Sequence, residues 1–255
     1  MVQKELGTHI RGWLGILIGL ALAPVVFFVS LIRGARAVHA HGVLCKAEIV
    51  PIDGPEPERS IGARLAGPAL VRFSGAIRSE ATSDKDILGL ALRLRTRRDE
   101  DGPPEVGDQD LILGTFESFA SVVFGNDMAR VNSGDYLANE YDSVSPWRVG
   151  GIGVVRLRTL ARPPSPGDNR LARLKAAIDT GNSELLLGYH SNDGQTGPVT
   201  PIAIVKLTSV SPLPPQQLRA SLLRHGRSVT GVGFRNGIRR IVYPVSQVAR
   251  RIRSG

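Results

Sequence analysis

The sequence predicts an α+β fold in which an antiparallel β-barrel or meandering sheet is flanked by helices and preceded by one N-terminal transmembrane helix. Three observations predict it. An uncharged apolar segment lies near the N-terminus, short apolar or alternating segments separated by Gly/Pro turns fill the middle, and helix-like segments come late in the chain. We therefore divide the chain into a membrane anchor, residues 1–35, and one domain, residues 36–255.

The N-terminal anchor is predicted from Trp13–Ile32, "WLGILIGLALAPVVFFVSLI", which contains no charged residue. Twenty helical residues cover about 30 Å, the thickness of the hydrocarbon core of a bilayer. Pro24 is compatible with this prediction because membrane helices tolerate proline. No second segment of this kind follows, so we expect a single-pass membrane protein.

A cleaved signal peptide is the rival interpretation of the same segment. The apolar region of a signal peptide is usually shorter, roughly 7–15 residues. Small residues do follow the span, at Ala35, Ala37 and Ala40, and cleavage after Ala40 would remove His39. We expect the anchor to be retained.

The orientation of the anchor is predicted from the flanking positive charges. Lys4 and Arg11 precede the span, whereas Arg33, Arg36 and Lys46 follow it. The positive-inside rule therefore favours a cytoplasmic C-terminal domain. The single cysteine, Cys45, excludes an internal disulfide and fits a reducing compartment.

The strands are predicted from apolar or alternating runs that end at turn residues. The charged Gly/Pro-rich segment 95–109 is predicted as a loop, and segments 118–131 and 133–141 as helical or irregular. The last two predicted strands should pair, since strong turn residues lie between them. In chain order, the predicted strands are 42–52, 67–75, 87–95, 110–114, 151–161, 184–190 and 200–210.

Three helices are predicted in the second half of the chain. The segment 168–182 has a start signal at Asp168 or Asn169 and a stop signal at Gly181. A short helix is predicted at 214–226. The segment 235–253 is predicted to be helical at one or both ends, with Pro244 as a break.

The C-terminal quarter of the chain is strongly basic. The net charge is +9, and residues 194–255 contain no Asp or Glu. Such a block favours an anionic lipid surface, nucleic acid or an acidic ligand, or it is an ordinary solvated basic face. We expect membrane lipid at the N-terminal helix and an anionic lipid or ligand at the basic region, and we predict no nucleic-acid partner. The block contains Lys206, Arg219, Arg224, Arg227, Arg235, Arg239, Arg240, Arg250, Arg251 and Arg253.

A family resemblance is carried by short segments and by their order along the chain. In sequence they are "RAVHAHG" (36–42), "LVRFSG" (70–75), "LGLALRLR" (88–95), "DQDLILGTF" (108–116), "LGYHSNDGQTGPVTPIAIVKL" (187–207) and "RRIVYPVSQ" (239–247). Together they resemble the distal-histidine segment, barrel strands and proximal-tyrosine signature of the haem-dependent catalase superfamily, in particular its compact bacterial members. The resemblance implies a catalase-type barrel, bound haem and peroxidase or catalase-like activity.

The resemblance implies a distal site on the N-terminal side of the barrel. His39 would be the general acid/base that moves a peroxide proton between oxygens. Ser74 would orient His39. Arg36 and Arg72 would pair with the haem propionates.

It also implies a proximal site near the C-terminus. Tyr243 would be the axial ligand of the haem iron, bound as a phenolate. Arg239, one helical turn earlier, would keep that phenolate charged because a nearby cation lowers the pKa of tyrosine.

The sequence departs from the family pattern at two places. The catalytic amide of the family should fall near Gly114 or Thr115, neither of which carries an amide, and Ile241 and Val245 replace an aromatic residue and an aspartate in the proximal signature. These departures favour an alternative in which a catalase-type barrel without haem is a membrane-tethered binding or structural protein. A hydrolase such as a phosphodiesterase is a further alternative, supported only by the basic region.

The other histidines and the cysteine carry weaker signals. His39 and His41 point the same way if they lie on a strand, but two histidines alone are a weak metal signal. His190 and His225 would join them only through the fold. Cys45 is predicted to be a buried strand residue, because free cysteine behaves as a small hydrophobe.

Overall fold

The computed structural model describes residues 2–33, 41–76, 86–97, 102–116, 131–143, 145–191 and 197–254. The helices are α1 (Val2–Arg33), α2 (Glu58–Leu65), α3 (Arg170–Asp179) and α4 (Gly233–Ser254). The strands are β1 (His41–Pro51), β2 (Gly67–Gly75), β3 (Leu88–Leu94), β4 (Gln109–Gly114), β5 (Tyr141–Asp142), β6 (Trp147–Val149), β7 (Gly153–Thr159), β8 (Glu184–Ser191), β9 (Thr200–Val210) and β10 (Val229–Gly231).

The strands form a closed antiparallel barrel. Their order is β10-β6-β7-β5-β4-β3-β2-β1-β9-β8, and β8 pairs with β7 to close the ring. Eight strands therefore form the barrel, while β6 and β10 extend one edge beside β7. Closure leaves no free edge around the barrel. The predicted α+β class and barrel are confirmed.

Alternate residues of the barrel strands fill its interior. Each fully buried Val, Leu or Phe side chain stabilises the fold by roughly 1.5–3 kcal/mol. The intervening residues of the same strands face outward, because side chains alternate along a strand. The inward side chains of the first three strands are Val43, Cys45, Ala47, Ile49, Ala69, Val71, Phe73, Leu88, Leu90, Leu92 and Leu94.

Several local predictions agree closely with the structure. Strand β2 has the predicted bounds, and β8 pairs with β9 as expected. Helix α3 begins where the start signal lies, because the Asn169 side chain accepts hydrogen bonds from the backbone N–H groups of Leu171 and Ala172. Gly181 follows the helix with a φ of 73°, a conformation that glycine adopts without strain.

The predicted helix at 214–226 is wrong. Only a single 3₁₀ turn, Pro215–Gln217, forms there. Side chains of the barrel strands hydrogen-bond to backbone groups that a helix would pair internally. Arg93 donates to the Arg219 carbonyl at 2.7 Å, and Asp110 accepts from the Ser221 N–H at 2.7 Å. Helix α2, conversely, forms between the first two predicted strands, where no helix was predicted.

The predicted break at Pro244 is also absent, because α4 continues through it. A proline inside a helix costs about 3 kcal/mol. Helix α4 lies beside α1 along much of its length, and this packing offsets that cost.

Helix α1 contains one segment long and apolar enough to cross a membrane, His9–Phe28, a property that signal sequences share.

Candidate functional site

The outer face of the barrel carries a row of residues with little or no side chain. Gly42, Ser74, Gly89 and Gly114 are cross-strand partners on β1, β2, β3 and β4. Their neighbours along each strand point into the core, so these four residues face outward. We call them the glycine row. Four adjacent strands therefore form a nearly flat backbone layer at this level of the barrel, which is buried at Ser74, Gly89 and Gly114 and half-buried at Gly42.

Two of the predicted site residues lie on β2 beside this surface. Ser74 is a member of the glycine row, and its Oγ donates to the Gly89 carbonyl at 3.3 Å. Arg72, two residues earlier on the same face, is only 2% exposed, and its Nη2 donates to the His41 carbonyl at 3.3 Å. The structure thus holds a cation and a hydroxyl group against the β1 and β3 backbones.

The end of β4 closes one side of the glycine row. A Cβ added to Gly114 would come within 2.6 Å of the Phe116 ring, so that ring lies directly over the glycine. Thr115 is turned toward β3, where its Oγ1 accepts from the Leu88 N–H at 2.9 Å. Gly114 and Thr115 stand where the catalase superfamily would carry its catalytic amide side chain. Gly114 is covered by the Phe116 ring, and the Thr115 hydroxyl is hydrogen-bonded to β3.

A charged cluster continues the row onto the next strands. Asp142 is the cross-strand partner of Gly114, and its carboxylate contacts His190 Nε2 at 2.9 Å and Arg158 Nη2 at 3.1 Å. Arg156 Nη1 lies 3.7 Å from the same carboxylate. We call these four residues the Asp142 cluster. Sequence reasoning missed it, although the alternating arginines of β7 were a signal for its outward face.

Helix α4 meets the barrel near this cluster. Arg239 Nη1 donates to Ser145 Oγ at 3.3 Å, three residues beyond Asp142. The pKa of the Arg235 guanidinium is lowered, first by burial and then by repulsion from Arg156 and Arg239. Positive charge is therefore concentrated where α4 begins.

Tyr243 is half-buried and lies one helical turn beyond Arg239, on the same face of α4. The Arg239–Ser145 hydrogen bond directs the start of that face toward the segment between β5 and β6. The predicted residues Arg36 and His39 lie outside the described residues.

The remaining histidines have separate environments. His41 begins β1 and is exposed, while His190 belongs to the Asp142 cluster. His225 Nδ1 lies 2.8 Å from the Leu223 carbonyl, and burial and then the charge of Arg240 lower its pKa. Across the described ranges, no group of three or more His, Cys, Asp or Glu residues is arranged to hold a metal ion.

Cys45 is confirmed as a buried strand residue. It faces the barrel interior, and burial raises the pKa of its thiol to about 12. The thiolate, which is the reactive form, is therefore suppressed at neutral pH.

Comparison with known proteins shows a likeness to solved structures. No protein-family model matches the sequence, and no curated protein matches it. A solved structure titled "Structure of a bacterial catalase" is similar to this chain with a TM-score of 0.57 and 14% sequence identity. The fold is catalase-like. The alignment covers 85% of this chain but 57% of that catalase, so the catalase-like barrel described here spans little more than half the length of its neighbour.

Proposed function

We propose that this chain is a membrane-attached, haem-binding protein of the catalase-like fold that reduces peroxides. The observation that carries the proposal is the glycine row, a flat surface on the outer face of the barrel with the buried Arg72 guanidinium beside it. A planar macrocycle approaches a backbone most closely where no side chain stands between them.

The residues that line this surface fit a haem group. A Cβ at Gly42 would collide with the Phe73 carbonyl oxygen and would lie 3.1 Å from Arg72 Nη2, so glycine lets β1 lie close to β2 and to the Arg72 guanidinium. Arg72 would pair with a propionate, as would Arg36. Tyr243 would hold the iron, with Arg239 favouring its phenolate form. Haem, when bound, would supply a redox-active iron, and the two electrons that reduce one peroxide would come from a second peroxide molecule or an organic reductant.

The protein's own contribution to the chemistry is proton transfer and orientation. His39 would take a proton from one peroxide oxygen and return it to the other through its imidazole. Ser74 would orient His39 through its hydroxyl group. The chain has neither Asn nor Gln at Gly114 or Thr115, so we expect slower turnover of hydrogen peroxide than an amide-assisted site would give.

The proposal is tested by expressing the full chain with haem supplied and recording its absorption spectrum. We expect a Soret band in the wild type and its loss or a clear shift in Tyr243→Phe. Tyr189→Phe is the matched control. The Tyr189 hydroxyl donates a hydrogen bond to the Glu58 carboxylate on α2, so this substitution should leave the spectrum unchanged. Folded protein without a Soret band would refute haem binding.

The proton-transfer role is tested separately with the two neighbouring histidines. His39→Ala should retain the Soret band but lower the peroxidase rate by roughly 10²–10⁴-fold, the usual contribution of a general acid/base. His41→Ala is the control two residues away, and it should retain the rate. Equal effects of the two substitutions would remove the assigned role of His39.

A second candidate is a haem-free, membrane-tethered binding protein with the same fold. The observation that favours it is the Phe116 ring, which lies over Gly114 and occupies one end of the flat surface. If this candidate is correct, the folded wild type will show no Soret band after haem titration. Phe116→Ala would then open the end of the row without creating haem binding.

A further inference from the structure

Helices α1 and α4 are joined through glycines. Gly15 and Gly19 of α1 and Gly237 of α4 lie in the contact, whereas Gly233 at the start of α4 lies against Pro146. A Cβ added to Gly15 would collide with the Phe234 carbonyl oxygen, and one added to Gly237 would lie 3.0 Å from the Gly15 Cα. The two backbones are therefore in direct contact, which small residues at this spacing permit. We call this contact the glycine seam.

The register of the seam gives the direction of the helices. Gly15 lies against Phe234, and Gly19 lies against Ile238, where a Cβ would be 3.0 Å from the carbonyl oxygen. Residue numbers therefore rise together along both helices. Helices α1 and α4 run side by side in the same direction.

Both helices are fixed to the barrel at the start of the seam. His9 Nε2 of α1 lies 3.3 Å from Arg148 Nη2 on β6. Side chains of α4 hydrogen-bond to the segments next to β6 and to β10 in the pairs Asn236–Pro146, Arg239–Ser145 and Arg240–Gly231. The first half of the apolar span is thus held next to the folded domain.

Chain length then decides where the other end of α1 lies. The 24 residue steps from His9 to Arg33 rise by about 36 Å as a helix. The eight residue steps from Arg33 to His41 reach at most about 29 Å. A spanning α1 with His9 at the barrel would place Arg33 on the far side of the bilayer. The chain would then recross about 30 Å of hydrocarbon as extended backbone, which the bilayer does not accommodate.

The face of α1 opposite the glycine seam is apolar and exposed. On a helical projection, Gly12, Gly15 and Gly19 lie on one side, and a wide apolar face lies on the other. Trp13, on that face, is 68% exposed. The exposed apolar residues of α1 are Ile10, Trp13, Leu14, Leu17, Ile18, Leu20, Leu22, Val25 and Phe28. A continuous surface of this kind is typical of a helix that lies in a membrane interface.

The neighbouring helix supplies the charge that such an interface attracts. Helix α4 contains six arginines and no acidic residue. Its second half also carries an exposed row one turn apart, Pro244, Val248 and Ile252, with Ile252 61% exposed. Apolar side chains interspersed with arginines are complementary to an anionic lipid surface.

We infer that the mature protein keeps α1 and lays it in the plane of one leaflet of an anionic bilayer, with α4 holding it through the glycine seam. This inference rests on the membrane attachment in the proposed function and not on haem. It replaces the single-pass topology expected from the sequence. It also opposes cleavage after Ala40, because cleavage would remove the partner of Gly237 and Ile238 on α4.

The depth of α1 is measured with full-length protein on vesicles that contain brominated lipids. Trp13 is one of two tryptophans, and the other, Trp147, is only 1% exposed, so quenching reports Trp13. A second protein, Trp13→Phe with Leu20→Trp, moves the probe to the middle of the apolar span. Bromine near the headgroups should quench both probes equally. Preferential quenching of the probe at position 20 by deep bromine would show a spanning helix and overturn the inference.

The electrostatic attraction between the basic residues and anionic lipid is tested by changing the lipid composition of the vesicles. Binding should weaken by at least about tenfold when phosphatidylcholine replaces phosphatidylglycerol, because several basic residues lose their partners. No binding to either vesicle would refute membrane attachment itself. Binding with a deep probe would refute only the in-plane orientation. The intact mass of the protein from cells should include residues 1–40, and a mass that begins after Ala40 would refute retention.

The seam itself is tested with a matched pair of glycine substitutions in α1. Gly15→Leu should separate the helices, so that amide hydrogens of α4 exchange at least about tenfold faster. Gly7→Leu is the control, because a Cβ there would meet no atom within 4 Å. Near-ultraviolet circular dichroism of the buried Trp147 confirms that the barrel stays folded. Unchanged exchange in Gly15→Leu would overturn the seam.

Discussion

Asp110 joins the barrel to the irregular segment that follows β9. Its buried carboxylate accepts from Arg93 Nε at 2.8 Å, from the Ser221 N–H and from Arg224. A carboxylate with this many donors compensates for its burial, and the same contacts prevent a helix at 214–226. The sequence showed Asp110 at the start of a predicted strand. It gave no sign of its partners Ser221 and Arg224, which lie more than one hundred residues away.

We predict that Asp110→Asn lowers the free energy of unfolding by about 3 kcal/mol, because it leaves buried guanidinium groups without a charged partner. Urea denaturation followed by the fluorescence of Trp147 measures this change. Glu56→Gln is the control, because the exposed Glu56–Arg59 pair should contribute nothing measurable. Equal stability of Asp110→Asn and wild type would show that Arg93 and Arg224 find other partners.

Cys45 contributes to the stability of the fold in a way that depends on pH. Burial raises the pKa of its thiol from 9.0 to about 12, so the folded state favours the neutral thiol. Its contribution to stability is therefore full below pH 9 and is lost as the pH rises toward 12. We predict that the stability of Cys45→Ala, relative to wild type, improves over this pH range. In native protein at neutral pH, a thiol reagent should label Cys45 only after denaturant is added.

At the scale of elements, the sequence predicted those whose signals are local. Strand β2 combines an apolar run with bounding glycines, and α3 combines an amphipathic pattern with the Asn169 cap. The segment 214–226 has the composition of a helix, but tertiary hydrogen bonds take its backbone groups. Strands β6 and β10 are three residues each and were not predicted, because such short strands form only by pairing with their neighbours.

The candidate site could be predicted from the sequence only where its residues lie close together on one strand. Arg72 lies on the same face of β2 as Ser74 of the glycine row, and their roles toward haem stay predictions. The Asp142 cluster was not predictable, because it joins β5, β7 and β8 through the closure of the barrel. The seam glycines Gly15, Gly19 and Gly237 lie far apart in the sequence, and only the fold showed that α1 and α4 meet at them.

Helix α3 provides a test at this scale. We predict that Asn169→Ala lowers the free energy of unfolding by about 1 kcal/mol, because two N–H groups of the first turn lose their acceptor. Asn169→Asp should retain most of the stability, since aspartate is an equivalent cap. Thermal unfolding of the three proteins compares them. An equal loss in both variants would assign another role to the Asn169 amide.

At the scale of the whole molecule, charge is divided between two regions. The whole chain carries +9 and residues 194–255 carry +10, so the first 193 residues carry −1. The positive end of this distribution includes α4. A long-range field of this kind orients the molecule as it approaches an anionic surface.

We predict that the association rate with anionic vesicles falls steeply between 0.1 M and 1 M salt, because the screening length shortens from about 10 Å to about 3 Å. The depth of Trp13 in the bound protein should change little, since apolar contact is not screened. Stopped-flow fluorescence measures the rate, and lipid quenching measures the depth. A rate that is independent of salt would show that the basic region takes no part in association.

The glycine seam also has a consequence for biosynthesis. It pairs a helix near the start of the chain with one near the end, and Gly237 follows Gly15 by 222 residues. At about 5–20 residues per second, the ribosome needs roughly 10–40 s to make this interval. During that time α1 has left the ribosome and its glycine face has no partner in the chain. We therefore expect that slower translation leaves the apolar α1 available to other apolar partners for longer before α4 can cover its glycine face.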